Sequence, residues 1–259
     1  MRKIDFFVAG VQKGGTTPLD AYLRVSAGIQ MASRKEVHHF DNEDIDWSNP
    51  SHAALHDQFD WSVRDVVRGE STPIYTYWPG CLERIRDYRP DAKLIVGLRH
   101  PTFRAWSHWR METKRNAETL SFEEAISTGR RRVSEATGGV HRAYSYVERG
   151  FYASQFRAIH ALFPRELVHV FRTDHLWNNP SLTLSAIDGF LGIERPARPP
   201  VEPTYIVSVD ARHFGAPPEA SRRYLDGLFG EDIRRTADIA GIDLSDWLDA
   251  DYSEPMSGS

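Results

Sequence analysis

Val8-Ala-Gly-Val-Gln-Lys13-Gly14-Gly15-Thr16-Thr17-Pro18 is the stretch from which the rest of the chain is best read. It leaves an apolar run, Ile4 to Val8 with Phe6 and Phe7 inside it, and enters a glycine turn that opens a helix. A near-continuous apolar run of this kind suits a strand buried on both faces of a parallel sheet. Gly14 and Gly15 permit close backbone approach to an anion, Thr17 can cap a helix, and Pro18 suits its first position. The unpaired N–H groups of such a helix start favour a phosphate, and Lys13 adds a point charge. The stretch departs from G-x-x-x-x-G-K-[ST], because Lys13 precedes the glycine pair, so a phosphate loop other than the ordinary ATPase kind is expected. The bland alternative is a plain strand-to-helix turn, which only the remaining sequence can weigh.

Outward from that stretch, strands and helices alternate. Helices are expected over 18–25, 79–88, from about Thr102, over 150–163 and 179–191, and over 217–240, with Ser121 and Glu124 forming a capping box at another. Ile29 to Met31, Val66 to Pro73 with its end broken by Gly and Pro, Lys93 to Leu98 and Leu167 to Phe171 read as further strands. The pattern implies an α/β fold, a P-loop-type parallel β-sheet with helices on both faces, whose strand ends converge on one rim.

The 259 residues carry no repeat or long Gly/Ser linker, so a single domain over 1–259 is expected. A net charge of −4 argues against nucleic acid as a partner. The charge is uneven: residues 99–142 hold nine Lys/Arg against five Asp/Glu, while 41–70 hold eight acids against two arginines. One basic face could receive an anion, although Arg130-Arg131-Arg132 reads better as a solvated helix surface. The single cysteine, Cys81, excludes an intramolecular disulfide and any Cys-based zinc cluster. No apolar run approaches 18 residues, so neither a membrane partner nor a signal peptide is expected, and the location expected is cytoplasmic.

Three strand ends carry unusual polar sets: Lys13 to Thr17; Glu36 with His38 and His39; and Arg99 with Ser107 one or two helical turns on. A fixed cation and a hydroxyl could make a second anion site, which together with the first suggests a ligand phosphorylated at two separated positions. Taken singly, Arg99 could be a structural ion pair and Ser107 an ordinary helix serine.

At this point the chain resembles the sulfotransferases that use 3′-phosphoadenosine 5′-phosphosulfate, of the heparan-sulfate type and its bacterial small-molecule relatives. The resemblance rests on Gly10 to Thr17, Lys35-Glu-Val-His-His-Phe-Asp41, Gly69-Glu-Ser-Thr-Pro73, Leu98 to His108, Leu120 to Ile126 and Arg149-Gly-Phe-Tyr152, in that order. It implies that Lys13 and the backbone of Gly14, Gly15, Thr16 and Thr17 hold the 5′-phosphate, and that Arg99 and Ser107 hold the 3′-phosphate. It also implies Glu36 as general base, a role that suits a carboxylate whose pKa burial raises. His38 and His39 compete for that role, and at least one of them is expected to be merely packed. Tyr152 is a candidate for the nucleotide site or for the core. No metal is expected, and the implied partner is a hydroxyl-bearing small-molecule acceptor, with Tyr75, Tyr77, Trp78, Trp106 and Trp109 as candidate cleft walls.

Two departures stand out. Where the carbohydrate enzymes place a lysine after the glutamate, this chain has Ser71, which leaves charge stabilisation to Lys13 and the histidines. The loop that closes over the nucleotide is matched best by 207–215, with Arg212 as contact. The rivals are a small-molecule P-loop kinase, disfavoured by the place of Lys13, and a nucleotide-binding module without catalysis.

Overall fold

The computed structural model describes residues 2–193 and 215–255. They form two compact units, one from residues 2–98 and 158–193, the other from 99–157 and 215–255.

The first unit is built on five strands: β1 (Phe6–Gly10), β2 (Ile29–Met31), β3 (Val67–Ser71), β4 (Lys93–Leu98) and β5 (Val168–Arg172). Their order is β2-β3-β1-β4-β5, and every neighbouring pair is parallel. The apolar run that opens the chain occupies the central strand, where Phe6, Phe7, Val8 and Ala9 are all fully buried. Because side chains alternate along a strand, that run must be covered twice. Phe6 and Val8 enter a core with Leu19 and Leu23 of α1 (Thr16–Arg24) and with Leu184 and Ile187 of the helix Pro180–Leu191. On the opposite face Phe7 meets the ring edges of Phe40, Tyr75 and Tyr88 at 5.4, 6.5 and 6.4 Å. Tyr88 closes the helix Cys81–Tyr88, so helices cover both faces, in agreement with the expected α/β class.

The chain passes from β1 to β2 and β3 on one side, then fills the other side with β4 and β5. The loop after β1 therefore leaves the sheet where the strand order reverses, the usual place for a ligand crevice in such folds. Its helix starts earlier than the sequence suggests. α1 begins at Thr16 with Gly15 as N-cap at φ 75°, instead of at Pro18 under a Thr17 cap. The left-handed glycine turns the chain at once, leaving no room for a longer loop.

The second unit is mostly helical, with helices Pro101–Lys114, Phe122–Ile126 and Glu219–Ala240. The expected capping box is present, Ser121 and Glu124 each accepting from the other's backbone N–H. Buried Arg104 and Arg149 are reconciled with the interior by donating to carbonyls, Arg104 to Tyr146 and Arg149 to Arg142 at 2.8 Å. Among the described residues no helix is long and apolar enough to cross a membrane.

The reading of β1 and β4 gives a stability test. A Cβ on Gly97 would lie 2.4 Å from the Gly14 carbonyl oxygen and 2.5 Å from the Phe171 ring, whereas one on Gly227, in a helix, meets nothing within 4 Å. In urea unfolding Gly97→Ala is expected to lose about 1–3 kcal/mol by overpacking, and Gly227→Ala to gain about 0.5–1 kcal/mol.

Candidate active site

The loop after β1 is held by backbone. Val11 N–H donates to the Gly97 carbonyl at 3.0 Å and Gly14 N–H to the Val11 carbonyl at 2.8 Å. A Cβ on Gly14 would stand 2.2 Å from the Gly97 oxygen, and one on Gly15 would stand 2.8 Å from Thr173 Cγ2. Both positions thus require glycine, and the first by contact with an immovable backbone. Lys13, at φ 71°, sits half-buried on the turn. No side chain caps α1, so its first turn, at Thr16 and Thr17, is an anion-favouring end.

A second group gathers after β2. Four consecutive amides, Glu36 to His39, donate to one short stretch at and just beyond the end of β3: Glu36 to the Ser71 carbonyl (2.9 Å), Val37 to Glu70 Oε1 (3.2 Å), His38 to Thr72 Oγ1 (3.4 Å) and His39 to Tyr75 Oη (3.2 Å). The pinning offsets strain. Glu36 and His38 have φ of 58° and 56°, and with Lys13 they are three of the five non-glycine residues at positive φ among the described residues. Each such residue costs on the order of 1 kcal/mol.

The side chains of this loop have distinct electrostatic states. Glu36 is not raised by burial, as the sequence suggested; its ion pair with His38 and the charge and hydrogen bond of Lys35 hold it at about 2, against the opposing effect of burial. Lys35 Nζ donates to Glu36 Oε1 at 2.5 Å, and His38 Nε2 lies 3.7 Å from Oε2. The carboxylate is 40 % exposed, too open for desolvation to win. His38 is raised to about 9, first by Asp41, whose buried Oδ2 is 2.8 Å from His38 Nδ1, and then by Glu36. It is a cation at neutral pH. His39 is the packed histidine: it is 4 % exposed, its Nε2 is 2.8 Å from His52 Nδ1, and burial lowers it to about 4. It stands edge-on to Phe40 at 4.9 Å and Trp47 at 5.7 Å.

Glu70 is the carboxylate that burial does raise, to about 7, against the hydrogen bonds from Thr72 and Val37 that lower it. It stands within the stretch Gly69 to Pro73, yet nothing in that stretch alone distinguishes it. Asp41 was likewise only the last residue of a motif.

In the second unit, the Arg99 guanidinium is engaged by the carboxylate of Glu254, from Nε at 2.6 Å and Nη2 at 2.5 Å. Tyr152 is buried, and its hydroxyl donates to the Arg99 carbonyl at 2.8 Å, fixing the backbone of that arginine. Ser107 is half-buried on the helix Pro101–Lys114. Arg212, and most of 207–215 with it, lies outside the described residues. Of the aromatic residues considered as cleft walls, Tyr75 is fully buried, and Trp106 stacks on Trp109 at 4.9 Å. The arginine run is neutralised locally, Arg130 by Glu148 (2.8 Å), Arg131 by Glu135 (3.4 Å) and Arg132 by Glu118 (2.7 Å).

No known family profile matches the chain. In sequence it is similar to mouse heparan sulfate glucosamine 3-O-sulfotransferase 3B1, 28 % identical over 188 residues, which are 73 % of this chain and 46 % of that protein. It is also similar to human heparan sulfate glucosamine 3-O-sulfotransferase 5, 26 % identical over 195 residues, 72 % of this chain and 52 % of that one. The chain thus spans about half the length of these curated relatives. Among solved structures, a sulfotransferase from Alicyclobacillus acidocaldarius superposes with a TM-score of 0.79 at 26 % identity, covering 95 % of this chain and 99 % of that one. Mouse sulfotransferase SULT7A1 complexed with PAP shares the fold, with a TM-score of 0.54 at 15 % identity over 93 % of this chain and 88 % of its own. In sequence and in fold the chain is thus similar to sulfotransferases of the heparan-sulfate-like and bacterial type.

Proposed function

We propose that the protein transfers a sulfuryl group from 3′-phosphoadenosine 5′-phosphosulfate to a hydroxyl of a small-molecule, natural-product or sugar acceptor, as one catalytic domain in the cytoplasm. The observation that carries the reading is the loop Lys13 to Gly15, seated on the Gly97 carbonyl below the uncapped start of α1. A cradle that only glycine can form, beside free helix-start N–H groups, fits a phosphate. Lys13, Gly14, Gly15, Thr16 and Thr17 would hold the 5′ side, Arg99 and Ser107 the 3′-phosphate, with Tyr152 bracing Arg99. When bound, the nucleotide supplies the sulfuryl group and departs as adenosine 3′,5′-bisphosphate.

The chain's own residues have the following parts. Glu36 accepts the proton of the acceptor hydroxyl. A carboxylate held at about 2 is a feeble base for an ordinary alcohol, but the hydroxyl becomes strongly acidic as its oxygen bonds to sulfur, so the transfer falls late. Lys13 offsets charge on the departing phosphate oxygen. His38, cationic at neutral pH, supplies a positive charge in a site where Ser71 replaces the lysine of the carbohydrate enzymes. His39, buried and neutral, has no part in the proton transfer.

Calorimetric titration tests the donor class. Adenosine 3′,5′-bisphosphate is expected to bind without metal, tenfold or more weaker in Lys13→Ala by loss of a charge-assisted contact worth about 1.5–3 kcal/mol, and ATP with Mg²⁺ not to compete. Preference for Mg-ATP would promote the kinase instead. Because Glu254 occupies Arg99, Glu254→Gln is expected to tighten bisphosphate binding several-fold and Arg99→Ala to weaken it, a pair of opposite signs readable in one titration. The pH profile tests His38. Its folded value lies above the ordinary 6.5, so its charge is complete below 6.5 and lost as pH rises through about 9. Turnover should fall on that alkaline limb, and Asp41→Asn should move the limb towards neutrality; a limb that stays in place removes His38 from the mechanism.

A further inference from the structure

Glu70 is fully buried, carries a titratable group and takes no part in the chemistry above. What it touches is the loop that does. Its Oε1 receives the Val37 N–H at 3.2 Å and the Thr72 hydroxyl hydrogen. A hydroxyl has one hydrogen, and since that of Thr72 points to Glu70, its oxygen lone pair is left to receive the His38 N–H at 3.4 Å. One carboxylate oxygen therefore directs two successive amides, Val37 without a mediator and His38 through Thr72. Those amides lie between and at the two left-handed residues, Glu36 and His38. The remaining anchors, the Ser71 carbonyl for Glu36 and Tyr75 Oη for His39, hold the ends of the segment but not its middle.

We infer that Glu70 is the positioning residue of this loop, setting the Val37 and His38 amides so that the Glu36 carboxylate and the His38 ring face one another and Asp41. The role rests on the sulfotransferase reading only in what the loop is for; the geometry it asserts can be read without a nucleotide. It also gives a reason for a glutamate in a place that solvent does not reach: an apolar side chain would leave the Val37 N–H buried without an acceptor and free the Thr72 hydroxyl to turn away.

The raised titration of His38 is the signature of that geometry, since it comes from Asp41 and Glu36 at close range. The experiment is an NMR titration of the His38 ring in the full chain, assigned against a His38→Asn spectrum, with thermal melting and adenosine 3′,5′-bisphosphate binding measured alongside. Glu70→Ala is expected to melt cooperatively and bind the bisphosphate within about twofold of wild type, while the His38 value falls from about 9 towards 6.5. Glu70→Gln keeps the Oε1 acceptor and is expected to retain a value near 9. Should Glu70→Ala not fold, Thr72→Val removes only the hydroxyl relay and should lower the His38 value in the same direction. A folded Glu70→Ala or Thr72→Val protein whose His38 titrates as in wild type overturns the inference. Failure of the wild type to bind the bisphosphate would count against the proposed function instead, and leave the His38 titration to decide this point alone.

Discussion

Two backbones pressed together, Gly14 against the carbonyl of Gly97, are the constraint on which the site depends. β1 and β4 run parallel at the centre of the sheet, and the loop leaving β1 must fold back over the end of its neighbour to start α1. It can do so at this distance only without side chains at either position. From that contact follow the left-handed turn at Lys13 and Gly15, the approach of Gly15 to Thr173 beyond β5, and the start of α1 at Thr16 without a side-chain cap. Three strand ends are thereby tied to one loop, and packing of the buried apolar sheet below keeps them in place.

Beside this loop, the first unit sorts its carboxylates by solvent. Glu36 and Glu70 sit near one another along the same hydrogen-bonded segment, yet their protonation behaviour is opposite. Glu36 has Lys35 and His38 at close range and is partly open to solvent; Glu70 is fully buried, where hydrogen bonds from Thr72 and Val37 and the more distant charge of His38 do not outweigh desolvation. The outcome is one carboxylate held charged at neutral pH and, behind it, one whose titration is raised to about 7. The histidines divide in the same way: His38 is drawn up by the acids it faces, and His39 is pushed down among rings.

Much of the fold was legible because its signals are local. Phe6-Phe7-Val8 can be buried on both faces only at the centre of a covered sheet, and Ser121 with Glu124 carries its cap within four residues. The start of α1 was misplaced because Thr17 and Pro18 satisfy helix-start chemistry as well as Gly15 does, and only tertiary closeness to Gly97 and Thr173 decides between them. Of the site, Glu36 and the loop at Lys13 were visible as motifs, but the low titration of Glu36 was not, since it depends on which way Lys35 and His38 turn. Glu70 lay hidden for a different reason: the amide it holds, that of Val37, stands 33 residues away along the chain. The Glu254 partner of Arg99, 155 residues distant, was equally beyond reach of any pattern.

The paired arginines of the second unit bear on the medium in which the protein works. Arg130, Arg131 and Arg132 each meet a glutamate of their own, so the densest basic run of the sequence has already exchanged its mobile anions for fixed ones. With its charge offset by the three glutamates, the run would displace few of the cations condensed on a polyanion, and that displacement is what makes such binding strong in dilute salt and weak in concentrated salt. The run's paired glutamates leave little net positive charge to reach beyond the surface, where salt screens what remains within about 10 Å.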